Sequence, residues 1–186
     1  MSAGRFAAAA IVAFATVLSS CERPERPTEA TTPETGAFAY AATSDMSGYY
    51  VPASEVRIGN WRLDHVFTGQ TAQFRSWAEG DRPATFAPVM LQFEDVTSPM
   101  VATEVGEARS VTARVLPTGY AVSDERVSFE GTSPELGRVG FEGRLDPGAL
   151  ATARRNLGDE GVVMTGTLTV GGQTVRNVQL RWWMGD

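Results

Sequence analysis

Residues 165–182 read TGTLTVGGQTVRNVQLRW, and this stretch decides the fold class of the chain. Polar and apolar residues alternate on both sides of Gly171-Gly172, a pattern typical of two half-buried antiparallel strands. The Gly-Gly pair suits a two-residue hairpin turn, because such turns need positive backbone φ angles. The same alternation recurs in residues 110–115 and 89–94, and Gly, Pro, Asn and Asp separate the segments at short intervals. These features are typical of an all-β sandwich or barrel.

The register of this last hairpin follows from its turn. Pairing across the Gly-Gly loop predicts that Leu168 lies opposite Val175. Val175 and Val178 are three residues apart, so strict alternation would place them on opposite faces of the strand. A β-bulge near Arg176-Asn177 would bring both to the buried face, and we therefore expect one there.

A near-repeat predicts a second hairpin. Residues 127–131 (VSFEG) and 139–143 (VGFEG) each place a Val and a Phe on one face and a Glu on the other. Turn-forming residues are frequent in the link between them, 132–137. Glu130 and Glu142 then share the wet face of the hairpin. They form either a solvated strand face or a carboxylate pair for acid–base chemistry, and we favour the solvated face.

Signals of one helix follow the second hairpin. The spacing i, i+3, i+7 predicts an apolar stripe on one helix face, formed by Leu150, Ala153 and Leu157. An N-cap residue, a proline for the first turn and a glycine after the end frame this stripe, namely Asp146, Pro147 and Gly158. The whole pattern predicts a mainly β domain, an antiparallel β-sandwich or barrel of roughly eight strands with one short helix at about 147–157.

The closing hairpin resembles that of the lipocalin-like polyisoprenoid-binding (YceI-like) family. In that family a Gly-x-Leu-Thr-aliphatic strand meets a Gly-x-Thr turn and a Val-x-Leu strand. The positions that can be laid on this pattern are Gly166, Leu168, Thr169, Val170, Gly172, Thr174, Val178 and Leu180. Residues 141–147 (FEGRLDP) also resemble the family's strand that leads into Asp-Pro. The resemblance implies a barrel that carries a small apolar ligand.

The N-terminus carries the features of a bacterial lipoprotein signal. Arg5 precedes an uncharged run, residues 6–18, which is too short to span a bilayer and fits the apolar region of a signal peptide. The run ends in Leu18-Ser19-Ser20-Cys21, which resembles the lipobox of bacterial lipoproteins. The resemblance implies that the signal peptide, residues 1–20, is cleaved and that Cys21 carries acyl chains such as palmitate.

The segment that follows predicts a tether. Residues 22–43 are rich in Pro, Thr, Glu and Ala, and such a composition buries too little apolar surface to offset the entropy of ordering. We therefore expect a disordered tether over 21–43 and a single β-rich domain over 44–186. Glu22 stands where an inner-membrane lipoprotein tends to have Asp, so the resemblance implies an outer-membrane anchor, facing the periplasm.

Composition excludes several classes of function. The formal net charge of -6 argues against a nucleic-acid partner, because phosphate binding needs a basic surface. One Cys cannot form an internal disulfide, and one His cannot form a His-rich metal site. His65 is expected to share a strand face with Trp61, Leu63 and Phe67, as a packed residue rather than a base, with Asp64 on the other face. We predict no cofactor, no metal and no catalytic residue.

The last strand holds the candidate for a partner surface. Trp182 follows Val178 at even spacing and is expected on the buried face, whereas Arg181 and Trp183 lie on the opposite face. Either Trp183 and Arg181 bind a partner, or another element covers them. Three functions stay open: a non-enzymatic lipid-anchored envelope protein that binds or scaffolds other envelope proteins, a lipocalin-like carrier of a small apolar ligand, and a carboxylate enzyme acting on envelope glycan.

Overall fold

The computed structural model describes residues 37–104 and 106–185, which all belong to one compact unit. The predicted signal peptide, Cys21 and residues 22–36 of the predicted tether lie outside the described residues. The strands are β1 (Phe38–Tyr40), β2 (Gly48–Pro52), β3 (Arg57–Ile58), β4 (Trp61–Thr68), β5 (Val89–Asp95), β6 (Met100–Thr103), β7 (Gly106–Arg109), β8 (Thr112–Val115), β9 (Pro117–Ser123), β10 (Arg126–Ser133), β11 (Gly137–Leu145), β12 (Val162–Val170) and β13 (Gln173–Trp183). The helices are α1 (Thr71–Ala78) and α2 (Pro147–Arg155).

Among the described residues, eleven strands form one curled sheet in the order β1-β9-β10-β11-β12-β13-β2-β4-β5-β8, with β3 paired to β4. Every pair in this sheet is antiparallel except β1 with β9, and β6 and β7 form a separate hairpin. The mainly β prediction with a short helix near residue 147 is therefore confirmed. The sheet exceeds eight strands because β1 and β3 are very short and because one chain segment bends at Leu116 and counts as both β8 and β9.

Aromatic side chains fill the concave side of the sheet. Tyr50, Tyr120, Phe129 and Phe141 are each no more than 1% exposed. The glycines of the two Phe-Glu-Gly repeats explain how these rings fit. A Cβ added to Gly143 would lie 2.7 Å from Phe141 Cε1, so the ring occupies the space over the glycine two residues along. The repeat thus lets each Phe ring pack closely against the backbone of a glycine on the inner face of the sheet.

Both predicted hairpins are present. Strands β10 and β11 pair with Phe129 opposite Phe141, and strands β12 and β13 pair with Leu168 opposite Val175. The predicted bulge also exists, because the register shifts between Gly166 and Leu168 and places two residues of β13 against one of β12. Asn177 takes a φ of 56° there, which an Asn tolerates better than most residues.

The predicted helix is confirmed in place but not in every detail. The Asp146 carboxylate accepts the backbone N–H groups of Gly148 and Ala149 at 2.9 and 3.0 Å, as an N-cap should. The apolar stripe is shorter than expected, because the helix ends at Arg155 and Leu157 is 64% exposed. The helix therefore ends two residues before the predicted end at about residue 157.

Helix α1 was not expected from the sequence. Its N-cap is Gln70, a residue type outside the usual capping set, and the Gln73 side chain accepts the Gln70 backbone N–H at 2.7 Å. Phe74 and Trp77 are its buried residues. Among the described residues, no helix is long and apolar enough to cross a membrane.

The predicted boundary between tether and domain at residue 43 was wrong. Phe38–Tyr40 forms β1 and pairs in parallel with β9. The Phe38 ring lies 5.1 Å from the Tyr120 ring, and the Tyr40 ring stacks 4.1 Å from Phe74. These two aromatic residues supply the apolar surface that the rest of the segment lacks, and this burial offsets the entropy of ordering it.

Candidate functional site on the outer face of the sheet

A row of rings crosses the outer face where β13, β2 and β4 meet. Strand register places Trp183 opposite Tyr49, and Tyr49 opposite Phe67. The Tyr49 ring centroid lies 5.5 Å from that of Trp183, 5.3 Å from that of Phe67 and 4.9 Å from that of His65. Phe86 extends the row, 5.8 Å from Phe67. We call these five residues the aromatic patch.

His65 shares a face with Phe67, as expected, but not with Leu63, and a bulge between them is the reason. The β4–β5 register shifts between Leu63 and His65, so Asp64 is an extra residue in its strand. Leu63 and Val66 both turn inward, whereas His65 turns outward beside Tyr49. Asp64 and His65 were predicted on opposite faces, yet His65 Nδ1 and Asp64 Oδ2 are 2.8 Å apart.

The two predicted partner-surface residues lie where the sequence predicts them. Trp183 is 47% exposed, whereas its neighbour Trp182 is 8% exposed. The Arg181 side chain lies on the same face as Trp183 and forms an ion pair with Glu160, with 3.3 Å between Nη1 and Oε2. Arg181 and Trp183 are thus neighbours on one outer surface, and no described element covers Trp183 completely.

A pocket of about 410 Å³ opens beside Trp183. Strand residues Val51, Asp64 and Arg181 line it. The loop after α2 contributes Asp159 and Glu160. The Asp159 side chain accepts the backbone N–H of Gly161 at 2.6 Å within the loop, and Glu160 connects the loop to β13 through its ion pair with Arg181. The pocket therefore combines one exposed indole with several charged groups.

Trp182 holds the underside of this surface in place. Its indole N–H donates to the Ser47 carbonyl at 3.0 Å, and the Arg154 guanidinium lies 5.2 Å from the ring centroid. Arg154 also donates to the Ser47 carbonyl at 3.0 Å and is hydrogen-bonded to Asp45. The ring covers Gly48 so closely that no side chain fits there. Helix α2, β2 and β13 are joined at this point.

The other candidate from the sequence, the carboxylate pair, lies elsewhere on the outer face. Glu130 is opposite Gly140, so Glu142 is its diagonal neighbour across β10 and β11. Both line a trough of about 780 Å³. Burial raises the pKa of Glu142 and the nearby Glu130 carboxylate adds to the rise, whereas Arg126 opposes it. Glu130 Oε2 is buried without a hydrogen-bond partner, and the Arg138 guanidinium stays 4.0 Å away.

Within residues 37–104 and 106–185, no three His, Cys, Asp or Glu side chains are placed to hold a metal ion.

The sequence analysis did not predict that Tyr49 and Phe67 belong to the aromatic patch, or that His65 faces outward beside them. The paired aromatics Tyr49-Tyr50 were an available signal, because adjacent strand residues face opposite sides and one of two rings must point outward.

Comparisons with known proteins found no match. No family model matches the chain, no curated protein matches it, and no solved structure matches it.

Proposed function

We propose that this protein is a non-enzymatic, lipid-anchored protein of the bacterial cell envelope that binds a partner protein through the aromatic patch. The observation that carries the proposal is Trp183, which is 47% exposed at the end of a row of packed rings. Large exposed aromatic residues beside Arg are enriched at binding hot spots. Exposed apolar patches are typical of interaction sites on protein surfaces.

The filled concave side of the sheet supports surface binding over carriage of an apolar ligand. A lipocalin-like carrier needs an interior space, and here Phe129 and Phe141 occupy the space next to Gly131 and Gly143.

The anchor is supported by the sequence, through the Leu18-Ser19-Ser20-Cys21 lipobox and the preceding apolar run. Two or more acyl chains hold a protein stably at a membrane. The tether, from Cys21 to the start of β1, would let the domain reach partners in the periplasm from an outer-membrane anchor. Labelled palmitate should enter the wild type and not Cys21→Ser, and absence of label from the wild type would remove the anchor from the proposal.

Site-specific photo-cross-linking tests the partner surface. A photoreactive phenylalanine analogue at position 183 should give one discrete protein adduct in living cells. Position 100 serves as the matched control, because Met100 is 48% exposed and lies on the separate hairpin. An adduct with lipid alone, the same adduct from both positions, or none from position 183 would contradict the proposed function.

The second candidate function is hydrolysis of envelope glycan by the carboxylate pair. Two carboxyl groups that line one trough favour it, because most glycosidases use a carboxylate pair, and the pKa of Glu142 is shifted upward, the direction that a general acid requires. The full chain should then release soluble fragments from purified cell-wall glycan, and Glu142→Gln should abolish this release without lowering the melting temperature. Absence of any fragment from the wild type would eliminate this candidate.

A further inference from the structure

The pocket beside Trp183 has one aromatic wall and one acidic wall. The indole of Trp183 presents an electron-rich face, which attracts cations more strongly than other side-chain rings do. Asp159 and Glu160, on the loop after α2, line the same pocket and form what we call its acidic wall, and Asp64 of β4 lines it as well. A ligand in this space can therefore contact both the ring and a carboxylate.

The local charge is negative. Three carboxylates line the pocket, against one guanidinium, that of Arg181. His65 adds a second cation only when it is protonated, so the balance stays negative in both of its forms. The next cation along β4, Arg62, is hydrogen-bonded to Glu94 and does not offset it.

The carboxylates are accessible to an incoming cation. The Glu160 side chain is 82% exposed and that of Asp64 is 41% exposed. Exposed ion pairs of this kind contribute little to stability, because water and salt screen them. The Glu160 carboxylate is paired with Arg181 but stays exposed to solvent, so a second positive group can approach it.

We infer that the Trp183 pocket receives a lysine or arginine side chain of the partner protein, held between the Trp183 ring and the Asp159, Glu160 and Asp64 carboxylates. This inference rests on the proposed function and specifies it: the partner segment is basic. A long alkyl stem packs along the aromatic patch, while the charged end reaches the acidic wall. The acidic net charge of the chain favours the encounter with such a segment.

His65 provides a reporter at the site itself. It is the only histidine of the chain and it lines this pocket. The NMR signals of its ring should therefore shift saturably when hexalysine is added to the full chain in detergent micelles at constant pH. Hexaglutamate and phosphatidylcholine vesicles should leave these signals unchanged. Raising the sodium chloride concentration to about 0.5 M should weaken the hexalysine effect, because salt screens exposed charges.

Charge-neutral variants separate this pocket from the general acidity of the chain. The double variant Asp159→Asn/Glu160→Gln should weaken hexalysine binding about tenfold, and Trp183→Ala about fivefold. The control is Glu107→Gln/Glu125→Gln, which removes the same charge from exposed positions outside the pocket and should bind as the wild type does. Unshifted His65 signals, or equal weakening by both double variants, would overturn the inference.

The cross-linking assay separates failure of this inference from failure of the proposed function. A partner adduct from position 183 that survives Asp159→Asn/Glu160→Gln unchanged would leave the partner surface in place and remove the basic-segment assignment. Loss of that adduct in the double variant supports both.

Discussion

Two adjacent tryptophans at the end of β13 provide the most direct test of the fold and the site together. Trp182→Ala removes a ring that is 8% exposed, whereas Trp183→Ala removes one that is 47% exposed. The two substitutions are chemically identical and one residue apart. Any difference between them therefore reports which side of the sheet each ring occupies, because neighbouring strand residues face opposite sides.

The size of the difference follows from the contacts of each ring. Truncation of a buried Trp to Ala costs about 3–5 kcal/mol. Trp182→Ala also deletes the hydrogen bond to the Ser47 carbonyl and the ring beneath Arg154, so we expect the upper part of that range. The Trp183 ring is partly exposed and pairs with the Tyr49 ring, so Trp183→Ala should lower the free energy of unfolding by about 1 kcal/mol or less.

Thermal and urea unfolding of the full chain measure both effects. For a domain of this size, 1 kcal/mol corresponds to about 2–4 °C in melting temperature, so Trp182→Ala should melt about 10–20 °C lower and Trp183→Ala only slightly lower. Trp183→Ala should nevertheless lose partner binding. Equal and large destabilisation by both variants would mean that both faces of β13 are covered, and the aromatic patch would then not be a binding surface.

Three further predictions test the packing and its boundaries. Gly143→Ala should lower the free energy of unfolding by about 1–3 kcal/mol, because the new methyl group would lie 2.6 Å from Met164 Sδ. Gly140→Ala is the control: its Cβ would have its nearest neighbour at 3.9 Å, so its melting temperature should be nearly unchanged. Hydrogen bonds from Ser44 and Thr43 hold the pKa of Asp124 far below its usual range, so the carboxylate stabilises the fold fully above about pH 4. This contribution is lost gradually as the pH falls toward the folded-state pKa, and Asp124→Ala should therefore lower the urea midpoint at pH 7, and by progressively less as the pH is lowered from about 4 to about 2. Removal of residues 1–43 deletes β1 and should lower the stability by about 3 kcal/mol or more relative to removal of residues 1–36, and equal melting of the two proteins would show that β1 does not support the fold.

Much of the β architecture can be read from local pattern. Alternation at 165–182, with two glycines at the turn, determines a hairpin, because a two-residue loop leaves only one register that buries the apolar residues. The three-residue spacing of Val175 and Val178 implies the bulge by the same logic. Asp146 and Pro147 determine where α2 begins, since capping and a preset φ act within one turn of the chain.

The outward position of Trp183 likewise follows from the sequence, because alternation along one strand is enough to predict it.

The tertiary structure decided what distant parts of the chain contribute. The bulge at Asp64 has no local sign, because an extra residue in β4 is detected only against its partner β5, and it alone turns His65 outward. Strand β1 forms because Tyr120 and Phe74, both distant in sequence, offer aromatic surface to Phe38 and Tyr40.

The candidate site is also a product of the assembled sheet. Trp183, Tyr49 and Phe67 become neighbours only where β13, β2 and β4 pair, and the acidic wall comes from the loop after α2. Alternation determines which face a residue takes, but it does not determine which strands lie side by side. The order of the strands depends on how the whole core packs, and no local sequence pattern specifies that order.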